Sequence, residues 1–178
     1  MVMIGNTITI EAKAAEAVDT SWYDNRTEGQ TEFTISTEAQ LRGLAQIVNS
    51  SDAAVEGFVM PFTGCTVKLA NDIVMDADTP FAPIGVSRGL GFAGVFDGQG
   101  HTVSGVNVVE SRKNGVGFFG KVYTGTIKNL TVAGNITTDN CNYVGGIVGH
   151  GYATVVDCVF RGNVGSANTM QVGGIAGP

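Results

Sequence analysis

Two histidines and a scattered set of carboxylates are the residues of this chain that acid–base chemistry would use. Asp97 and His101 lie in the turn sequence FDGQGHTVSG, and an Asp–His pair can act as acid and base. The same sequence has a structural explanation, because Asp97-Gly98 and Gln99-Gly100 are typical of tight turns in which aspartate accepts backbone N–H bonds. We therefore expect Asp97 to be a turn residue.

The second histidine lies in Gly149-His150-Gly151, a short match to the signature of polygalacturonases. Hydrolysis of a glycosidic bond needs paired carboxylates that flank the bond. The chain has no Asp-Asp pair, Asp139 and Asp157 are isolated, and no Arg-x-Lys follows. We expect His150 to be a turn residue before the next strand. No catalytic residue is predicted, and the chain is expected not to be an enzyme.

Cation binding would need several converging ligands. Asp72, Asp76 and Asp78 are close in sequence, but the last two lie in an apparent loop, so a calcium site is not favoured. The chain has no Cys-x-x-Cys pair, which disfavours a structural zinc site. The sequence predicts no metal ion and no cofactor.

The three cysteines are an odd number, which does not fit a complete disulfide framework, so free thiols are expected. Cys158 falls in an apolar run and is predicted to be buried and inert. Cys141 falls in the turn sequence TDNCN and is predicted to be the more accessible thiol.

Composition restricts the partners of the chain. The 178 residues include 26 glycines and only 15% charged residues, and the formal net charge is −6. The Lys and Arg residues form no cluster, which disfavours nucleic acid and anionic lipid as partners. No apolar run is long enough for a membrane span, and the first residues, without Lys or Arg before Lys13, are not expected to be a signal peptide.

Two segments repeat at a fixed offset. TIKNLTVAGNI starts at Thr126 and TVVDCVFRGNV at Thr154, and the same offset of 28 separates Val144 from Val172. An earlier copy, TVSGVNV at 102–108, lies 24 residues upstream. Short Val-, Ile- and Thr-rich runs repeated at this period are typical of a solenoid. Three strands per coil predict an all-β fold, a parallel β-helix with coils of about 28 residues. The alternative is an antiparallel sandwich, which needs no fixed offset.

Stacked coils place equivalent side chains in columns, since neighbouring strands lie about 4.8 Å apart. The hexapeptides VGGIVG and VGGIAG, and the shorter VGFFG, are expected where each coil bends. The predicted inward columns are Val103/Ile127/Val155, Val106/Leu130/Cys158, Val108/Val132/Phe160, Ile136/Val164, Val144/Val172 and Ile147/Ile175.

Upstream of the repeats the pattern is that of a helix, which we predict over residues 36–49. Thr37 and Gln40 have the spacing of a capping box. We expect the apolar face of this helix to cap the open first coil and to prevent edge-to-edge aggregation. The residues on that face are Leu41, Leu44, Ala45 and Val48.

The predicted organisation is an N-terminal strand and polar linker over 1–32 and a β-helix domain over 33–178. The strand is expected at 5–13, the linker at 19–32, and the coils from about residue 65. Because no capping pattern follows the last coil, we expect either further coils after residue 178 or self-association through this uncapped C-terminal coil.

The order of cap helix, FDGQGHTVSG turn and repeats over about 33–178 resembles the N-terminal part of bacterial surface proteins that carry GLUG repeats. The motif Gly-Leu-any-Gly appears at 117–120, 146–149 and 174–177, each time with another apolar residue in place of Leu. The resemblance implies a non-enzymatic structural or adhesive module of an exported protein, an adhesin at the bacterial cell surface. The implied partners are adjacent coils or modules of the same parent chain and a host glycan or protein ligand.

Parallel β-helices also include polysaccharide lyases and hydrolases, so a carbohydrate-active enzyme and a carbohydrate-binding module are the alternatives. Paired acidic residues on one exposed strand face would favour the enzyme, and a flat Thr/Asn face would favour the structural module. The aromatic pair Trp22-Tyr23 has the chemistry to stack on a sugar, although a single pair in a polar stretch more often packs locally.

Overall fold

The computed structural model describes residues 17–50, 61–86, 91–169 and 171–177. The strand predicted at 5–13 lies outside these ranges. The described part contains two helices, α1 (Ser21–Asp24) and α2 (Glu38–Ser50). The strands are β1 (Glu32–Ile35), β2 (Thr66–Leu69), β3 (Ile73–Val74), β4 (Val95–Asp97), β5 (Thr102–Ser111), β6 (Asn114–Val116), β7 (Phe119–Val122), β8 (Thr126–Lys128), β9 (Thr131–Asp139), β10 (Asn142–Gly145), β11 (Val148–Gly151), β12 (Thr154–Val156), β13 (Val159–Ala167) and β14 (Val172–Gly173).

The strands form sheets that wind around one core. The longest sheet has the order β1-β2-β4-β8-β12, and the next has the order β13-β9-β5-β3. Two shorter sheets, β14-β10-β6 and β11-β7, complete the coils. The strand pairings of the described residues are all parallel, which confirms the parallel β-helix and excludes the antiparallel sandwich.

The 28-residue offset is the separation along the chain between residues that pair in two stacked coils. Thr154 pairs with Thr126, and Val172 pairs with Val144. The columns that this offset predicted are confirmed, since Val155 lies on Ile127, Phe160 on Val132 and Val164 on Ile136.

The offset of 24 for residues 102–108 is wrong. Val103 pairs with Val132 rather than stacking with Ile127, whose neighbour is Phe96. The short strand β4 is therefore the earlier copy of TIK, and β5 is the earlier copy of TVAGNI. A register shift between Val103 and Val106 then places Val106 on Gly134. Val108 accordingly belongs to the Ile136 column.

The glycine hexapeptides lie where each coil folds back on itself. A Cβ added to Gly145 would overlap the carbonyl oxygen of Val148, so only glycine fits this close approach. Val116 pairs with Val144 at an offset of 28, but Phe119 pairs with Val148 at 29. VGFFG is thus one residue shorter than VGGIVG, and the repeat length changes inside this bend.

The predicted cap helix is present as α2, beginning two residues later than expected. The Oγ1 of Thr37 accepts the Gln40 backbone N–H at 3.2 Å, and the Gln40 side chain accepts the N–H of Ser36 at 2.8 Å. The helix packs its apolar face into the core of the solenoid. The buried residues of this face include Leu41, Leu44, Ala45 and Val48, as predicted.

The stack of strands begins earlier than residue 65. Phe33 of β1 pairs with Val67 of β2, so β1 is the first rung within the described residues. The segment expected to be a polar linker also contacts the core, because Trp22 and Tyr23 pack on Phe33 and Phe62. The sequence did not predict β1 as a strand of the solenoid because this strand has only two inward side chains. None of the described helices is long and apolar enough to cross a membrane.

Candidate functional site

Asp97, a candidate for acid–base chemistry in the sequence, has three bonding partners in the structure. It is only 5% exposed. Its Oδ1 accepts the N–H of Gln99 at 3.0 Å and the Asn129 amide at 3.0 Å, and Lys128 Nζ lies 3.2 Å from Oδ2. Burial alone would raise the pKa of this carboxyl, but these bonds together hold the pKa below its usual value. The expected turn bond is confirmed, and the carboxylate joins two coils.

Asp97 and His101 do not form a pair with each other. His101 Nδ1 instead lies 3.1 Å from Oδ1 of Asp72, which also accepts the Thr102 N–H at 2.9 Å. The Thr102 bond, and after it the His101 bond, lower the pKa of the Asp72 carboxyl. This exposed pair was not predicted from the sequence. The sequence feature that could have revealed the pair is its spacing of 29 residues. This is the length of one coil, so the two residues lie on neighbouring rungs.

The three aspartates considered for calcium have separate local roles. Asp76 Oδ1 accepts the N–H of Asp78 at 3.1 Å, and its Oδ2 accepts the hydroxyl of Thr79 at 2.7 Å, an arrangement typical of a turn. Asp72 is engaged with His101, as above. Within the described ranges, no three His, Cys, Asp or Glu residues are grouped so that they could hold a metal ion.

His150 lies within β11 rather than in a turn, so that expectation is wrong. It pairs with Lys121 of β7, and its ring centroid is 4.5 Å from that of Tyr143. The turn was predicted from the glycines on both sides of His150. These glycines instead allow the backbones of neighbouring strands to approach closely. Asp139 and Asp157, which the sequence places apart from other carboxylates, have separate surroundings: Asp139 accepts the amide of Asn168 at 3.1 Å, and Asp157 is an exposed corner residue.

The order of thiol accessibility is the reverse of the prediction. Cys141 is fully buried, with Sγ 3.6 Å from the Glu110 carbonyl oxygen, because the chain turns its side chain inward after β9. Cys158 is half-buried, although its Sγ lies 3.5 Å from the carbonyl oxygen of Ile127 in the coil below. It lies on the last described coil, beyond which no described strand covers it.

Polar side chains bond neighbouring coils along the axis of the solenoid. Asn163 Nδ2 donates to Oδ1 of Asn135 at 3.1 Å. On another sheet, Asn142 Nδ2 donates to Oδ1 of Asn114 at 3.0 Å. Both pairs are 28 residues apart, so equivalent asparagines form ladders whose hydrogen-bonding capacity links one coil to the next.

Two further surface features were considered as ligand sites. A groove of about 420 Å³ lies between α2 and residues 80–82. Arg42, the charged side chain among the described residues that line it, bonds the Glu38 carboxylate and the carbonyl oxygens of Thr79 and Pro80, so the charge serves to fix the cap helix. The other feature is Tyr152, which is 80% exposed and presents its ring to solvent.

Comparisons of the chain with protein families, with curated proteins and with solved structures gave no match. The class of protein that the fold defines is a parallel β-solenoid with an N-terminal cap helix.

Proposed function

We propose that the chain is a non-enzymatic structural or adhesive module of an exported bacterial surface protein. The observation that carries the proposal is the set of asparagine ladders on the solenoid surface. The amides of Asn163 and Asn142 bond Asn135 and Asn114 of the preceding coil, so polar groups that a binding site would direct toward a ligand stabilise the stack instead. The resemblance to GLUG-repeat surface proteins supports the same role.

A partly buried ion pair between coils also suits a rigid spacer. Asp97 lies between Lys68 and Lys128 in one column of the longest sheet, and Lys128 pairs with it at 3.2 Å. Alternating charges in a column favour one register of the coils, since a slip along the strands would separate Asp97 from both lysines. A stack with a fixed register holds its two ends at a fixed separation, which a module of a surface stalk requires.

A carbohydrate-binding module is the second candidate, and the exposed ring of Tyr152 is the observation that favours it. Exposed aromatic rings provide flat apolar surfaces on which sugar rings can stack. The 80% exposure of Tyr152 leaves its ring accessible for such a contact, whereas Trp22 and Tyr23 are engaged in core packing.

A glycan array combined with a screen for polysaccharide hydrolysis and elimination tests both candidates. The structural module predicts no turnover of any polysaccharide, and measurable turnover would overturn it. Glycan binding that is lost in Tyr152→Phe and Tyr152→Ala alike would implicate hydrogen bonding, whereas loss in Tyr152→Ala alone would support stacking. Protease accessibility on intact cells of the source organism tests the surface location, and full protection of the protein would contradict it.

A further inference from the structure

Two stacked bends of the solenoid carry positive charge. The bends, 112–121 and 140–151, together contain three cationic side chains and a histidine but no carboxylate. They are stacked because β10 pairs with β6 and β11 pairs with β7. In a chain whose formal net charge is −6, they form a region of opposite sign. The basic residues are Arg112, Lys113, Lys121 and His150.

Lys121 and His150 lie side by side on the outside of these bends. They pair directly across β7 and β11, which places them one strand spacing apart, about 4.8 Å. A Cβ added to Gly115 would lie 3.0 Å from the His150 Cβ and 3.1 Å from the Lys121 Cγ, so glycine leaves room for both side chains. None of the carboxylates in the described part of the chain forms an ion pair with Lys121. Its charge therefore has no internal structural role.

Tyr143 adds an aromatic ring to this position at a cost in backbone strain. It occupies the column of Gly115 one coil later and has the same left-handed backbone, with φ of 59° against 83° for the glycine. This conformation is unfavourable for a bulky residue, and strained residues are frequent at ligand clamps. The Tyr143 ring packs on that of His150, with 4.5 Å between centroids and 35° between planes. Since glycine fits the same bend without strain, the conserved backbone shape does not explain the tyrosine.

The two rings are accessible from the side of the solenoid. Tyr143 belongs to a coil that is covered on both sides, because β10 lies between β6 and β14. Tyr143 and His150 are nonetheless only half-buried. The exposed part of each ring therefore faces outward, beside Lys121.

A ring pair next to an unpaired ammonium group matches the two chemical parts of an acidic sugar. The apolar face of a sugar can stack on the rings, and a carboxylate or sulfate group can pair with the ammonium. Duplex DNA suits this surface less well, because its dense charge is repelled by a chain of net charge −6. The carboxylates that flank the bends, Glu110 and Asp139, add to this repulsion.

We propose that the stacked bends bind an acidic polysaccharide, with Tyr143 and His150 contacting a sugar ring and Lys121 pairing with its carboxylate or sulfate group. The inference rests on the adhesive role proposed above and names the class of ligand. The site uses other residues than the Tyr152 contact, and it requires a charged sugar.

Affinity electrophoresis of the full chain tests the proposal in gels that contain polygalacturonate or dextran sulfate, which separate carboxylate from sulfate recognition. Carboxyl-reduced polygalacturonate and dextran are the neutral controls. At least one acidic polymer should retard the chain, and added salt should weaken the effect. Lys121→Gln should weaken this binding by about tenfold or more in Kd. Lys68→Gln is the matched control, since it removes the same charge from the longest sheet.

Tyr143→Gly separates a binding role from a packing role. The variant should lose binding while its thermal unfolding midpoint is maintained, because removal of the strain offsets the lost ring contact. Tyr143→Asn replaces it if the glycine variant does not fold, since asparagine tolerates this backbone conformation. Intact binding with a lowered midpoint would show that the ring serves packing alone, and would overturn the proposal.

The remaining outcomes are equally decisive. No retardation by either acidic polymer, equal retardation by the neutral polymers, equal loss in Lys68→Gln, or tighter binding of duplex DNA at the same salt concentration would each overturn the proposal. The same samples are assayed for released sugar ends. Absence of binding without turnover would remove this site and leave the structural module in place, whereas turnover would contradict the non-enzymatic role itself.

Discussion

Gly162 lies directly on Gly134 of the preceding coil, so closely that a Cβ added to Gly162 would overlap the Gly134 carbonyl oxygen. Gly134 has the same relationship to Val106, whose carbonyl oxygen occupies the space that a Cβ would need. The Gly-Asn step of the repeat therefore serves two purposes. Glycine lets adjacent backbones approach, and the following asparagine bonds the next coil.

Gly134→Ala should destabilise the fold by about 1–3 kcal/mol, because the overlap is with backbone atoms, which cannot rotate away. Gly165→Ala is a control on a paired strand, since its Cβ would meet its nearest neighbour, the carbonyl oxygen of Ile136, at 3.9 Å. Denaturant unfolding followed by circular dichroism measures both. Equal stability of the two variants would contradict the close approach of Gly134 to the Val106 backbone.

Phe96→Ala should cost about 3–5 kcal/mol of unfolding free energy, because Phe96 is fully buried and its loss leaves a cavity. Its ring packs edge-to-face on that of Phe119 at 5.3 Å between centroids. Phe160→Ala should cost less, about 1–3 kcal/mol, because Phe160 lies on the last described coil and is only half-buried. Urea titrations of both variants give the comparison, and a larger loss for Phe160→Ala would contradict the exposed position of the last coil.

The fold could be predicted from the sequence because coil stacking repeats both residue types and spacing. Thr126 and Thr154 pair as the offset of 28 requires, and the cap helix follows from the helical period of its apolar residues. The register of β5 could not be predicted in the same way. Val103 resembles Ile127 and Val132 equally well as an inward β-branched residue, and only the placement of Phe96 decides between them.

The chemistry-bearing residues were harder to place than the strands. The Asp72–His101 contact joins positions one coil apart, so it depends on the register of β3 on β5, for which the sequence shows no repeated motif. Cys141 illustrates a second limit. Its position after a strand is evident in the sequence, but the direction of a corner side chain is set by the local backbone, here the αL conformation of Asn140.

Thiol labelling in native buffer should modify Cys158 and leave Cys141 unreacted, because Cys141 is fully buried. Burial raises the pKa of the Cys158 thiol, so its labelling should be slow at neutral pH and accelerate as the pH rises. Peptide mass spectrometry after a timed reaction identifies the modified residue. Unfolded protein, in which all three thiols should react, is the control, and native labelling of Cys141 ahead of Cys158 would contradict the structure.

Asp97→Asn should remove a contribution to stability that depends on pH. The pKa of Asp97 is lowered in the folded state, so its contribution is complete above the ordinary Asp pKa of about 3.9 and is lost as the pH falls through the lower, folded value. The variant should be less stable than the natural chain by about 1–2 kcal/mol at pH 7, and this difference should shrink as the solution is acidified below about pH 4. Asp157→Asn, at an exposed corner where the preceding coil has Asn129, is the matched control and should show little difference at either pH. Thermal unfolding of the three proteins between pH 3 and 7 measures the effect, and a difference for Asp97→Asn that grows on acidification would show that the ion pair with Lys128 and the Gln99 bond do not stabilise the folded state.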